Sequence, residues 1–337
     1  MTLRVGIAGF GLAGRYFHAP LLKGCGFNVV AIQTSNPQRA QHAREDFPST
    51  SVVLSIEELV SLDLDLIVVA SANLVHAEQA IAAINAGIPV VVDKPMGRTL
   101  AETELIINAG KKAGVPVTTF FNRRWDSDAL TIKKVLASGI LGEVHRIDSR
   151  FERYRPQLNP SAWRETLSPE EGGGLLLDLQ THLLSTALDA FGPAELTYAS
   201  VRKIRGESED DVVLNLRHAS GVDSYCSVSA ISGSTGPRIR ALGTEGALII
   251  EELDPQEALL RAGNFPEGGI WQVPTASKAY IQRGDQREEI QAVPGNYGHF
   301  YQAVAGSLEG KNPMPVSAED ILAVATIIDK AREISVR

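Results

Sequence analysis

An aspartate and a histidine four residues apart, Asp178 and His182, sit inside an otherwise leucine-rich stretch, GGGLLLDLQTHLLSTALDAFG, running from Gly172 to Gly192. Three glycines precede it and a Gly-Pro closes it, leaving a middle long enough for a helix. On a helix the two side chains share a face, and at 100° per residue Thr181, Ser185 and Asp189 join them. Such a stripe is either the solvated side of an amphipathic helix or the lining of a cavity. From Gly172 to Ala194 there is no Lys, Arg or Glu, the residues that crowd solvated faces, and this favours a cavity. A neutral imidazole in a cavity is the side chain best suited to accept a proton near pH 7. A carboxylate one turn away could orient that ring or hold a hydroxyl.

The elements that would carry such groups are legible in outline. With 337 residues, 44% of them hydrophobic, the chain can bury a large core, and two domains are expected, 1–121 and 122–337. In the first, residues 3–8, 27–33, 64–70, 88–92 and 115–121 are short apolar runs suited to strands buried on both faces. Helical patterns lie between them. Ser55 with Glu58 and Thr99 with Glu102 have capping-box spacing, and Gly87 and Gly114 stand where helices should stop. This alternation predicts a doubly wound parallel sheet with ligands beyond the carboxyl ends of its strands. From residue 122 the alternation ceases. Helices over 127–138, 174–191 and 317–334, with strands at 195–204, 210–218, 222–230, 238–251 and 286–291, predict an α+β domain on a large, mostly antiparallel sheet.

Directly after the first strand comes GFGLAG, in which Gly9, Gly11 and Gly14 match G-x-G-x-x-G and open into a helix around 13–23, with Leu12 inside the turn. Glycines so placed allow a tight turn, close approach to a pyrophosphate and close helix–strand packing, which predicts dinucleotide binding. An acidic residue about 20 positions on usually holds the ribose hydroxyls of NAD. Here the second strand ends in Thr34, Ser35 and Asn36, with Arg39 one turn into the next helix. Hydroxyls, an amide and a guanidinium suit a 2′-phosphate, so NADP is preferred and NAD remains possible. Ser35 or Asn36 could equally serve as a helix cap.

The net charge of −8 argues against nucleic acid or an anionic membrane surface as partner. No apolar run reaches the length of a membrane span, and the opening MTLRVGIAGFG has no signal-peptide pattern. Cys25 and Cys226 form no metal-type or redox pair, so a cytoplasmic location is expected. No metal-ligand cluster is apparent.

SANLVH at residues 71–76 and VVVDKPMG at 90–97, with the glycine motif, resemble the Gfo/Idh/MocA oxidoreductases. NRRWD (122–126), WRE (163–165), the G-G-G…D-x-x-x-H helix and the closing YGHFYQAV (297–304) extend the resemblance over the chain. FHAPLL, NRRWD and WRE are shared with the NADP-dependent inositol dehydrogenase-like branch. The resemblance implies a catalytic set of Lys94, Asp178 and His182, with the polar stripe facing a substrate pocket beneath the nicotinamide. Ser71, Asn73, Asp93 and Lys94 are expected to line the cofactor site, and His76 either lines it or simply packs; the resemblance implies that the C-terminal sheet makes a homodimer or higher oligomer. The chemistry is coherent: an alcohol gives up a hydride to the nicotinamide and a proton to a base, while the Lys94 ammonium stabilises alkoxide charge. Pro95 is expected to take a cis bond.

Asn122, Trp163 and Arg164 are candidate substrate contacts, because an aromatic face beside a multi-donor guanidinium suits a sugar or cyclitol. Asp126 is a candidate helix cap, and Tyr297 and His299 are weaker site candidates. Gln180 stands where the family has Gly, and Ser185 where Asp is frequent; by angle Gln180 points among the leucines and needs hydrogen-bond partners there. The function expected is an NADP-dependent oxidoreductase acting on a secondary alcohol of a sugar or cyclic polyol. A non-catalytic dinucleotide-sensing regulator and a reductase of a non-sugar carbonyl are the alternatives.

Overall fold

The structure is a computed structural model and describes residues 2–335. Six parallel strands form the first sheet: β1 (Arg4–Ala8), β2 (Asn28–Gln33), β3 (Ser51–Val53), β4 (Leu66–Val69), β5 (Val90–Val92) and β6 (Val117–Thr119). Their spatial order, β3-β2-β1-β4-β5-β6, reverses direction at β1 and β4, the doubly wound pattern expected. β4 and β5 are buried along their whole length, which explains why they read as unbroken Leu, Ile and Val rather than as an alternation. β3 escaped the sequence reading. It is three residues long, pairs only with β2, and its apolar run is no longer than 52–54.

Local chemistry sets the helix ends. Ser55 and Thr99 accept hydrogen bonds from the backbone N–H groups of Glu58 and Glu102. The glutamates bond one residue further back than in the usual box, to the N–H groups of Leu54 and Arg98. Gly114 ends the helix Leu100–Ala113 in the left-handed conformation, at φ 66°.

The second sheet has eight strands: β7 (Val144–Glu152), β8 (Ala194–Arg202), β9 (Asp211–His218), β10 (Asp223–Ser229), β11 (Ile239–Gly243), β12 (Gly246–Ile250), β13 (Ala279–Arg283) and β14 (Gln286–Ile290). The order is β14-β13-β12-β11-β7-β10-β9-β8, and only the β7–β10 pair is parallel. The single strand expected over 238–251 is the β11–β12 hairpin, and β7 and β13 were not anticipated. The helix Ser127–Ser138 lays Ile132 and Val135 onto Ile147, Ile239, Leu248, Ile250 and Ile281 of this sheet. Each fully buried aliphatic side chain there contributes roughly 1.5–3 kcal/mol.

The chain divides into two compact units. The first comprises Met1–Asn122, Gln256–Pro274 and Asn296–Leu322, the second Arg123–Pro255, Thr275–Gly295 and Ala323–Arg337. A single crossing at residues 121 and 122 therefore does not describe the path, because the chain returns to the first unit twice. Among the described residues no helix is long and apolar enough to cross a membrane.

Candidate active site

In the first unit two of the three motif glycines are required by the backbone, and at the third a Cβ fits. Gly9 has φ +96°, and a Cβ there would lie 2.6 Å from the Ser71 Cα. A Cβ on Gly14 would lie 2.2 Å from the Gly9 carbonyl oxygen, so the turn folds back onto itself there. At Gly11 a Cβ would meet only the Arg39 guanidinium, at 3.7 Å. The helix that follows opens with a wide π-turn, Gly14–His18, before the α-helical Ala19–Gly24. This is a glycine cradle suited to a pyrophosphate, with a cation laid against it.

At the end of β2, Thr34 is buried and its hydroxyl accepts from the Asn36 N–H at 3.3 Å. Asn36 is the cap of the helix Pro37–Asp46, its side-chain oxygen accepting from the Arg39 N–H at 3.0 Å. Ser35 and Arg39 are exposed, as is Leu12, and Arg39 has no ion-pair partner among the described residues.

The turns after β4 and β5 are tied together by His76, which is buried. Its Nδ1 lies 2.9 Å from the Pro95 carbonyl and its Nε2 3.3 Å from that of Ser71. Burial holds its pKa below the ordinary imidazole value, against the opposing pull of Asp93 and the two carbonyls. His76 is thus a clamp between the two turns. Ser71 itself donates to Gln79 Oε1, and Asn73 is buried. The Lys94–Pro95 bond is cis, as expected. Lys94 is half-buried, and its backbone N–H donates to Asp93 Oδ1 at 2.8 Å. Asn122 is buried in the same unit.

The second unit holds Asp178 and His182. Here the solvated reading of the polar stripe fails: Thr181, His182 and Ser185 are buried, and Asp178 and Asp189 are half-buried. The helix has two parts, a π-turn over Leu176–Gln180 and an α-helix over Thr181–Phe191. A π-turn is wider than an α-turn, so the 100° rule does not carry across Asp178. Arg164 stands with its Nε 3.2 Å from Asp178 Oδ1 and its guanidinium 4.3 Å over the Trp163 ring. Two of the three candidate substrate contacts, Arg164 and the Trp163 ring stacked on it, therefore stand beside Asp178. Arg124, from NRRWD, donates from Nε to Ser185 Oγ at 2.8 Å, while Lys133 Nζ forms an ion pair with Asp189 Oδ2 at 2.5 Å. Gln180 is fully buried and donates to the Cys226 carbonyl on β10, while its Oε1 has no hydrogen-bond partner among the described residues.

Asp126 occupies the cap position of Ser127–Ser138 but makes no side-chain capping bond; it accepts from Arg123 at 2.9 Å instead. Asp254 takes the Ser127 N–H in its place. Tyr297 is buried with its N–H on Gln256, and His299 bonds Asn296. Two residues of the first unit went unselected in the sequence, His18 and Tyr301, whose side chains meet in its core. Their signal was FHAPLL and YGHFYQAV, noticed as family markers only. A cavity of about 760 Å³ in this unit is lined by Arg15, Tyr16, Lys23, Phe47, Leu260 and Phe265 among others, and by none of the residues proposed for chemistry. Among the described residues no group of three or more His, Cys, Asp or Glu could hold a metal ion.

Residues 3–121 match the model of the oxidoreductase family with an NAD-binding Rossmann fold, and residues 129–249 match the Gfo/Idh/MocA C-terminal domain. The scyllo-inositol 2-dehydrogenase (NADP(+)) IolW of Bacillus subtilis is 34% identical over 99% of this chain and 94% of its own. The chain belongs to the Gfo/Idh/MocA oxidoreductase family. The 1,5-anhydro-D-fructose reductase of Ensifer adhaerens is 30% identical over 73% of this chain and 75% of its own. The solved structure of YvaA from Bacillus subtilis superposes with a TM-score of 0.87, at 33% identity over 99% of this chain and 98% of that one. As a Gfo/Idh/MocA protein the chain is an oxidoreductase on a Rossmann fold that binds a nicotinamide dinucleotide.

Proposed function

We propose that the protein is an NADP-preferring oxidoreductase acting on a secondary alcohol, or the corresponding ketone, of a sugar or cyclic polyol. The observation that carries the cofactor preference is the Arg39 guanidinium, which lies against Gly11 while the end of β2 offers no carboxylate. A phosphate ester on the adenosine ribose gains a charge-assisted bond from such a group and meets no repulsion. The inositol dehydrogenase activity that IolW is named for and the anhydrofructose reductase activity of the Ensifer enzyme support the substrate class.

Bound by Gly9, Gly11, Leu12 and Gly14, with Thr34, Ser35, Asn36 and Arg39 at the ribose end, the nicotinamide dinucleotide supplies the hydride acceptor or donor. Ser71, Asn73, His76 and Asp93 are assigned to the same site. Lys94 stabilises alkoxide charge or polarises a carbonyl, His182 takes up or returns the hydroxyl proton, and Asp178 holds a substrate hydroxyl or orients the ring. Asn122, Trp163 and Arg164 are assigned to substrate. A base and an electrostatic partner of this kind each contribute factors on the order of 10² or more in rate. The first unit is then the dinucleotide-binding part and the second the substrate-binding part. The eight-stranded sheet, with Tyr198 and Tyr225 exposed on it, is the surface for a homodimer or larger assembly. Cys25 and Cys226 are both free thiols, which suits a cytoplasmic setting.

The test is reduction of NADP⁺ and, separately, NAD⁺ across inositol isomers and aldoses, beside Lys94→Met. Turnover that prefers NADP⁺ and is lost in Lys94→Met is expected. Equal use of both cofactors would overturn the preference, and tight cofactor binding without turnover on any polyol would overturn the substrate class.

A further inference from the structure

Three buried side chains of the first unit form a line that ends at Lys94. Tyr301, on the helix Gly298–Leu308, places its hydroxyl 2.5 Å from His18 Nδ1. His18, fully buried at the end of the π-turn, turns Nε2 towards Asp93 Oδ1 at 3.7 Å. That same oxygen accepts the Lys94 N–H.

The direction of the line follows from the groups themselves. Burial raises the Tyr301 pKa well above that of an ordinary phenol, so its proton stays on oxygen. Such a phenol donates to Nδ1 and leaves the imidazole hydrogen on Nε2, facing the carboxylate. The opposite neutral tautomer would aim a nitrogen lone pair at Asp93. At 3.7 Å the His18–Asp93 contact is longer than a formed hydrogen bond, so its effect is electrostatic, strengthened by the buried setting. Burial works to raise the Asp93 pKa, yet His18, then Lys94 and His76, hold it below the ordinary value. These three face Asp93 from the glycine-motif helix, from its own strand end and from the helix His76–Asn85; Phe120 packs on the His18 ring at 4.5 Å and adds no charge.

We propose that His18, its proton placed by Tyr301, is a positioning residue for Lys94: it holds the Asp93 carboxylate, which fixes the Lys94 backbone and supports its ammonium. This rests on the role assigned to Lys94 above.

The test uses the full chain with His18→Leu, His18→Gln and Tyr301→Phe, and Lys94→Met as control. One readout is the pH profile of kcat. The other, which needs no substrate, is the rate at which an amine-reactive acylating reagent modifies Lys94 across pH, read by peptide mass spectrometry. In His18→Leu the acid limb of kcat should move up by about one pH unit, giving up to roughly tenfold less turnover on that limb and little change near pH 8. On that limb Lys94 should be acylated faster than in wild type, because a protonated Asp93 no longer supports its ammonium, and near pH 9 the two rates should coincide. His18→Gln, which keeps an N–H donor, should recover part of both effects, and Tyr301→Phe should show them more weakly. Profiles and acid-limb acylation rates that coincide with wild type, with only thermal stability reduced, would overturn the proposal. If His18→Leu does not fold, Tyr301→Phe decides by the same two readouts. Full turnover in Lys94→Met would instead overturn the catalytic reading of Lys94, while the acylation rates would still decide the role of His18.

Discussion

Single residues in the glycine turn lead to sharply different expectations. A methyl group at Gly14 collides with the Gly9 carbonyl, which is backbone and cannot rotate away. Gly14→Ala should therefore lose about 1–3 kcal/mol of stability by urea unfolding and at least about tenfold in dinucleotide affinity. Arg39 touches nothing that the fold needs, so its replacement should be selective. Arg39→Ala should weaken NADP⁺ binding by about 10–100-fold, leave NAD⁺ within about twofold and hold the melting temperature, all measurable by calorimetry. A parallel loss for both cofactors would mean that the guanidinium does not read the phosphate. The glycines were legible in the sequence because Gly9 and Gly14 answer local demands. His18 and Tyr301 were not, because 283 positions separate them and no periodicity links residues so far apart.

Elements were legible where burial or caps wrote a pattern, and obscure where charge replaced it. The parallel strands showed themselves as apolar runs, and Thr99 announced its helix. Removing that cap by Thr99→Ala should cost about 1 kcal/mol in urea unfolding and leave turnover unchanged. β7 was missed because its sequence, VHRIDSRFE, alternates with charge rather than with Val and Ile. The structure shows why: Asp148 pairs with Arg146 and Arg150 along its own strand and with Arg240 on β11, so ion pairs occupy a face that apolar side chains usually fill. The Asp178 helix was found with its limits nearly right. Its π-turn was not, because hydrophobic periodicity does not distinguish one widened turn from a regular one.

Across the whole molecule, acid sensitivity should be distributed over both units. His76 in the first and His218 in the second are both held below the ordinary imidazole pKa by burial. The unfolded chain therefore binds protons that the native state refuses, so stability is full above the unfolded value of 6.5 and is lost as pH falls below it. Urea midpoints should drop between pH 7 and pH 5, and a His76→Asn variant should show a smaller drop; an identical slope would mean that His76 is not the group responsible. The interleaved path of the chain has a consequence for the order of biosynthesis. Phe120 of the first unit is covered by Phe300 and Tyr301, at ring distances of 4.9 and 5.8 Å. On a ribosome working from the N-terminus, the six strands of the first sheet emerge long before those two rings exist. Until then the nascent sheet carries an uncovered aromatic patch and a histidine without its phenol, so the dinucleotide-binding half can be completed only after most of the other half has been made.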